Sequence, residues 1–573
     1  MEFKTHDRYI LLLTTNPKYI EKTEKMNRFK YLWLLLLVIV LPVKPVSAQM
    51  FDLDLQKLQL SWQLINTFYV DTVNQDKLTE SAIEGMLKTL DPHSAYISAD
   101  EVKKMNEPLD GSFEGIGIEF NILNDTLIVV NPISGGPSEK VGIMAGDRIV
   151  TVDGDNIAGI GIKNSDVFRL LRGAKGTTVR LGIKRKGEKN VLKFLVERDK
   201  IPIYSVEASY MASPGTGYIR ISRFAMTTDD EFVKAMNKLQ KQGIKNLILD
   251  LRGNGGGYLK AAIDIADQFL VSKELIVYTE GMASPKKEYN STGHGLFEKG
   301  NLVVLIDEGS ASASEIVSGA VQDWDRAVLV GRRSFGKGLV QRPFSLPDGS
   351  MIRLTVAKYY TPSGRCIQKD YTHGLAAYQM EVYDRYEDGE VFSKDSVHLA
   401  DSLIYKTKVL KRTVYGGGGI MPDVYVPMDT SMYSDYYRDI VATGVLNRFV
   451  LNYVDKNRTV LASSYPDFKT FNGKFKVDEK LMSELTDAGE KAGVKMNEKE
   501  YRKSELYLKS QLKALVARDL WSSSEYFEVM NPLNDLYKKA VEIAGSNSEY
   551  SDILKPAQRP RLKPKFKPSV KSK

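Results

Sequence analysis

Between residues 199 and 430 the hydrophobic period changes repeatedly, and this limits the fold more than any other feature. Short apolar runs at 217–222, 246–250, 302–306, 328–330 and 351–359 alternate with helical patterns at 228–242, 258–269 and 314–323. Strands alternating with helices predict a parallel or mixed sheet covered by helices, an α/β core. Reactive groups in such sheets gather at strand ends and in the first turns of the helices that follow. Two strand ends here carry unusual chemistry.

The first is Leu247-Ile248-Leu249-Asp250-Leu251-Arg252-Gly253-Asn254-Gly255-Gly256-Gly257. A glycine cluster before a helix could cradle a phosphate. No Walker lysine follows Gly257, however, and the G-x-G-x-x-G spacing is absent. The other reading is that the glycines expose backbone N–H groups to an oxyanion, as acyl transfer requires. The second end is Val303-Val304-Leu305-Ile306-Asp307-Glu308-Gly309-Ser310-Ala311-Ser312-Ala313-Ser314-Glu315. It delivers serines to a helix N-terminus, where free N–H groups and the dipole favour an anion. Ser310 and Ser314 could serve only as caps. Ser312 lies between two alanines that leave room for a substrate backbone. Downstream, Ser334-Phe335-Gly336-Lys337-Gly338-Leu339-Val340-Gln341 supplies a glycine-flanked lysine. A serine hydroxyl is a poor nucleophile until a base takes its proton, and a lysine can be that base. Its ordinary pKa of ~10.4 must then fall to ~7–8, and burial against Phe335, Leu339 and Val340 is the expected cause.

Residues 109–198 read as a separate unit. Phe113-Glu114-Gly115-Ile116-Gly117-Ile118-Glu119-Phe120 is a glycine-punctuated strand, and Ala145-Gly146-Asp147-Arg148-Ile149-Val150-Thr151-Val152-Asp153-Gly154 follows it. The segment resembles a PDZ domain. The resemblance implies a groove that takes an extended peptide as an added strand, its terminal carboxylate on backbone N–H groups. Gly115 and Gly117 would let that backbone approach the carboxylate, and Ile116, Ile118, Val167 and Leu170 would form an apolar pocket. The plain alternative is that these four are core residues.

Leu251–Gly257, Ser310–Glu315, Gly336–Gln341 and Tyr359-Tyr360-Thr361-Pro362-Ser363-Gly364-Arg365 occur in this order downstream of the PDZ-like unit. Together they resemble the carboxyl-terminal processing, or tail-specific, proteases over about residues 50–430. The resemblance implies Ser312 as nucleophile, Lys337 as general base and Gln341 as the group that orients the lysine. It also implies oxyanion-hole N–H groups from Gly256 and Ala313, with no metal or cofactor. Two departures stand out. Cys366 replaces the serine common at that place in the family, a swap expected to be silent. Residues from about 370 to 415 are inserted before Gly419-Ile420-Met421-Pro422-Asp423, and the insert is expected either to pack over the sheet or to rim the active-site entrance.

The flanks complete the organisation. Residues 1–48 read as a secretory signal region, with Arg28-Phe29-Lys30, an apolar run from Tyr31 to Leu41, and Val46-Ser47-Ala48; an uncleaved anchor is the alternative. Either one predicts an exported, periplasmic protein. Residues 49–108 and 431–554 are helical by pattern. Residues 555–573 form a basic tail expected to be disordered and able to touch an anionic membrane surface. Much of the net charge of +8 sits in this tail, so the folded parts do not read as a nucleic-acid binder. One cysteine and five scattered histidines argue against a thiolate or zinc site. The expected function is a secreted serine endopeptidase acting on proteins with apolar C-termini, the expected partners being an adaptor and a second copy of the chain. A catalytically silent PDZ scaffold and a tricorn-like peptidase of small peptides remain alternatives.

Overall fold

The computed structural model describes residues 53–397 and 403–556. The signal region and most of the basic tail lie outside the described residues. The chain divides into two units, residues 1–82 and 83–573. In the first, the helix Leu53–Phe68 buries none of its residues. Among the described residues no helix is long and apolar enough to cross a membrane.

The second unit is mixed α/β. Its central sheet runs in the order Val206–Ser213, Thr216–Ile221, Asn246–Asp250, Leu302–Ile306, Val328–Gly331, Val424–Tyr425. Every neighbouring pair is parallel except the first. Leu302–Ile306 is buried at all five positions because both faces of the sheet are covered. One face packs against the helices Thr228–Lys241, Leu259–Asp267 and Ala313–Asp323. The other packs against Leu536, Tyr537, Ala540 and Ile543 of the helix Asp535–Gly545, with Tyr550 and Leu554 beyond it. Residues 431–554 are therefore not one body. The last two helices complete the central core, while those between Asp435 and Leu520 enclose a core of their own around Ile440, Val450, Phe471, Leu485 and Leu512.

A second sheet is built on the long strand Met351–Tyr360. Leu339–Ser345 pairs with it, as do Leu275–Gly281 and the short strand Ala95–Ile97. That last pairing carries the turn Asp91-Pro92-His93-Ser94 to the strand that follows Lys337. The small β-rich unit has the sheet order Ile118–Leu123, Thr126–Pro132, Arg148–Val152, Thr178–Lys184, Leu192–Glu197. Ile118–Leu123 is thus an edge strand, and the helix Asn164–Leu171 lies beside it, with Phe120 and Phe168 edge to face at 5.6 Å. Arg148 of this unit pairs with Asp455 of the helix Val445–Ser464 at 2.7 Å.

Candidate active site

Ser312 ends the turn after Leu302–Ile306 and precedes the helix Ala313–Asp323. Its φ of 55° places a non-glycine residue in the left-handed region, a strained conformation that persists only where the surroundings enforce it. The neighbouring serines do the enforcing. Ser310 Oγ donates to Leu251 O (2.8 Å), Ser314 Oγ donates to Asn254 O (2.8 Å), and Ala311 N–H donates to the same carbonyl (2.9 Å). These two serines therefore tie the Ser312 turn to the glycine loop; they do not cap the helix.

Two other side chains, Glu315 and Tyr359, fix the backbones of both Ser312 and Lys337. Glu315 is fully buried, and one of its oxygens accepts from Ser312 N–H (2.8 Å) and Lys337 N–H (2.9 Å). Its other oxygen accepts from Ser334 Oγ and from Gly336 N–H (2.7 Å). Tyr359, also buried, places its hydroxyl 2.7 Å from Lys337 O and 3.1 Å from Ser312 O. Glu315 thus holds the N–H groups of both residues, and the Tyr359 hydroxyl stands at both of their carbonyls.

Burial, reinforced by the Arg353 guanidinium, pushes the Lys337 ammonium down to about 8, while the Glu315 and Asp91 carboxylates oppose the shift. Among the described residues Lys337 Nζ donates no hydrogen bond, so the Ser312–Lys337 contact is not made in this arrangement. A catalytic contact that tightens only with substrate present is common.

The remaining site residues divide. Gly256 is pressed against Ser312: a Cβ there would lie 2.8 Å from Ser312 Cβ and 3.1 Å from Ala313 N. Its own N–H, however, donates to Asn254 Oδ1 (2.9 Å). Ala313 N–H opens the helix beside Ser312, where dipole and position both suit a developing anion. Among the described residues the Gln341 side chain makes no hydrogen bond to Lys337. Its Nε2 donates to Thr355 Oγ1 (3.3 Å), which donates to Asp91 (2.9 Å). In the PDZ-like unit, Gly117 takes φ 73°, and Ile116, Ile118 and Val167 belong to the buried core. Leu170 is half-buried against that core.

Several residues near Lys337 carry no local sequence signal of a role. Asp91 accepts from His93 N–H (2.8 Å), Ser94 N–H (3.0 Å) and Thr355 Oγ1. Burial pushes its carboxyl up, but hydrogen bonds from Ser94, His93 and Thr355 hold it below the ordinary value. His93 is pushed down to about 4, by burial first and by the Lys337 charge second, so it is neutral at pH 7. Its Nε2 lies 2.9 Å from Tyr378 Oη. Tyr378 stands on the helix Gly374–Glu387, so this part of the insert reaches the Asp91–Ser94 turn through His93. From the same helix, Arg385 donates to Ser334 O (2.8 Å) and Phe335 O (3.1 Å), the two carbonyls just before Gly336 and Lys337. Among the described residues no group of three or more His, Cys, Asp or Glu side chains could hold a metal ion.

Residues 215–375 match peptidase family S41, and residues 115–196 match the PDZ domain. The sequence is 36% identical over 359 residues to the carboxyl-terminal-processing protease of Picosynechococcus, covering 58% of this chain and 86% of that one. The chain belongs to the carboxy-terminal processing proteases of family S41. It is also 39% identical over 322 residues to the carboxy-terminal processing protease CtpB of Bacillus subtilis, covering 56% of this chain and 66%, just under two thirds, of that protein. A solved photosystem II D1 C-terminal processing protease is 32% identical, with 54% of this chain and 89% of that one covered and a TM-score of 0.31. Residues 43–101 match the activating protease CtpB N-terminal domain, and residues 436–522 match a family of unknown function. The S41 match ends at residue 375, so the helix bearing Tyr378 and Arg385 lies almost wholly beyond it.

Proposed function

We propose that this S41 protein is an exported serine endopeptidase with Ser312 as nucleophile and Lys337 as general base. In this reading it acts on proteins whose apolar C-terminal tails enter the PDZ groove. The observation that carries the reading is the joint fixation of Ser312 and Lys337 by Glu315 and Tyr359, with the lysine pushed down to about 8. A scaffold that only binds tails has no use for a lysine held in that state.

In the acylation step neutral Lys337 Nζ takes the proton from Ser312 Oγ as that oxygen attacks the substrate carbonyl carbon. The oxyanion is received by Ala313 N–H, and by Gly256 N–H once it leaves Asn254 Oδ1. Collapse breaks the C–N bond, and Lys337 returns the proton to the leaving amine. Water then attacks the acyl-enzyme, with Lys337 again taking a proton and passing it to Ser312 Oγ. Gln341, through Thr355 and Asp91, fixes the wall beside the base, and among the described residues its side chain makes no hydrogen bond to the lysine.

The test uses an unfolded protein ending in an apolar free carboxylate, its C-terminally amidated twin, and Ser312→Ala and Lys337→Ala controls. Cleavage of the free-ended protein, lost in both variants, is expected. Equal cleavage of the amidated twin removes tail recognition from the reading. Cleavage that survives Lys337→Ala removes the dyad.

A further inference from the structure

The edge strand Ile118–Leu123 does not end at open solvent. Ile122, Leu123 and the following Asn124 form one wall of a cleft of about 860 Å³, whose other walls come from the C-terminal helical body. Val445, Phe449, Tyr453 and Leu481 contribute apolar surface. Five cations, Arg448, Lys456, Lys476, Lys480 and Lys491, also line it and are exposed. Among the described residues none of the five is ion-paired. Only Asp478 and Glu484 oppose them, and Asp478 is committed to capping its helix through Leu481 N–H (2.9 Å).

A tail added to this strand has a fixed direction. With its carboxylate at the Ile116-Gly117 turn it runs antiparallel to Ile118–Leu123. The strand has six residues, a span of about 20 Å at ~3.3 Å each. The last six residues of a tail are used along the strand, and those before them arrive in the cleft. Five unpaired cations over an apolar floor suit an extended, acidic segment with interspersed apolar side chains.

We infer that the cleft between the PDZ edge strand and the C-terminal helical body is an upstream specificity subsite. It takes an acidic stretch about seven to ten residues before the substrate C-terminus. The inference rests on the reading that tails bind the PDZ groove, and its test separates the two. Fluorescent peptides share one apolar, free-ended final hexamer and carry four Glu, four Gln or four Lys before it. Binding to the full chain carrying Ser312→Ala is measured by anisotropy at 50 and 300 mM salt, with C-terminally amidated versions in parallel.

The Glu peptide is expected to bind about tenfold more tightly than the Lys peptide at low salt, with the gap shrinking at high salt. Lys456→Glu combined with Lys480→Glu, both exposed positions, should abolish that order and leave the preference for free over amidated ends intact. Equal affinity for the three peptides, with free ends still preferred, overturns the cleft and leaves tail recognition standing. Loss of the free-end preference overturns tail recognition, and a Glu preference that survives amidation shows a cleft acting apart from the groove. Vesicles of phosphatidylglycerol that bind through Lys456 and Lys480, with no Glu preference among the peptides, assign the cations to a lipid surface and also overturn the inference.

Discussion

Replacing Lys337 by methionine tests the poised base through folding as well as through rate. Lysine has an ordinary value of 10.5 and is pushed down to about 8 in the folded chain. Between those values the unfolded state binds more protons, so the group's contribution to stability is present above the unfolded value and lost as pH falls through the folded one. The shift corresponds to about 3 kcal/mol at pH 7, falling to about 1 kcal/mol at pH 9.5. Lys337 is only partly shielded from water, and screening reduces the change between these pH values to about 1–2 kcal/mol. The assay is urea unfolding at both pH values, with Ser312→Ala present throughout to prevent self-digestion. Lys337→Met keeps the side-chain length and removes the titration, so its stability relative to the parent should improve by that amount at pH 7 over pH 9.5. In the enzyme with Ser312 intact, kcat/KM should rise about tenfold per pH unit and level off near 8. Two proteins whose stabilities run parallel between pH 7 and 9.5 would show that Lys337 titrates near its ordinary value when folded. A rate midpoint at 10 or above would say the same of the enzyme at work, and the argument for a poised base would fail.

Other perturbations follow from the same geometry. Glu315→Gln replaces one of two oxygens that accept from backbone N–H groups, leaving at least one buried donor unpaired; unfolding in urea should show a loss of about 1–3 kcal/mol, with kcat falling and KM little changed. Gly256→Ala puts a methyl group 2.8 Å from Ser312 Cβ on a backbone of φ 103°, and steady-state kinetics should show kcat reduced by about a hundredfold or more. Arg385 holds the two carbonyls just before Gly336 and Lys337, so Arg385→Met should lower kcat and move the midpoint of the pH–rate profile while KM holds. Arg385→Lys should recover part of the loss, and a midpoint unmoved in Arg385→Met would confine the residue to stability.

The site was legible in sequence where its logic is local. Strand, tight turn and helix N-terminus are written consecutively around Ser312, and the glycines flanking Lys337 lie in one short segment, so both could be singled out before their contacts were known. Glu315 was within that segment and Tyr359 within the Tyr-Tyr-Thr-Pro run, but their work is to join two turns, and no local pattern announces it. The Asp91 turn is less legible still. Its carboxylate meets Thr355 across 264 residues because Ala95–Ile97 pairs with the start of Met351–Tyr360. A two-stranded pairing of three residues leaves almost no trace in hydrophobic period.

The C-terminal region makes the same point about packing. Helical period runs on from residue 431 to 554, and period alone assigns these residues to one body. A strand apolar at every position, Leu302–Ile306, requires cover on both faces, and the helices of residues 228–323 supply only one. The second face had to come from elsewhere in the chain, and Leu536, Tyr537, Ala540 and Ile543 provide it at helical spacing. The helices before them are then free to build a separate core that meets the PDZ unit through Asp455 and Arg148. The chain thus uses its C-terminal region twice, once to seal the sheet that carries Ser312 and once to wall the cleft at the end of the PDZ edge strand.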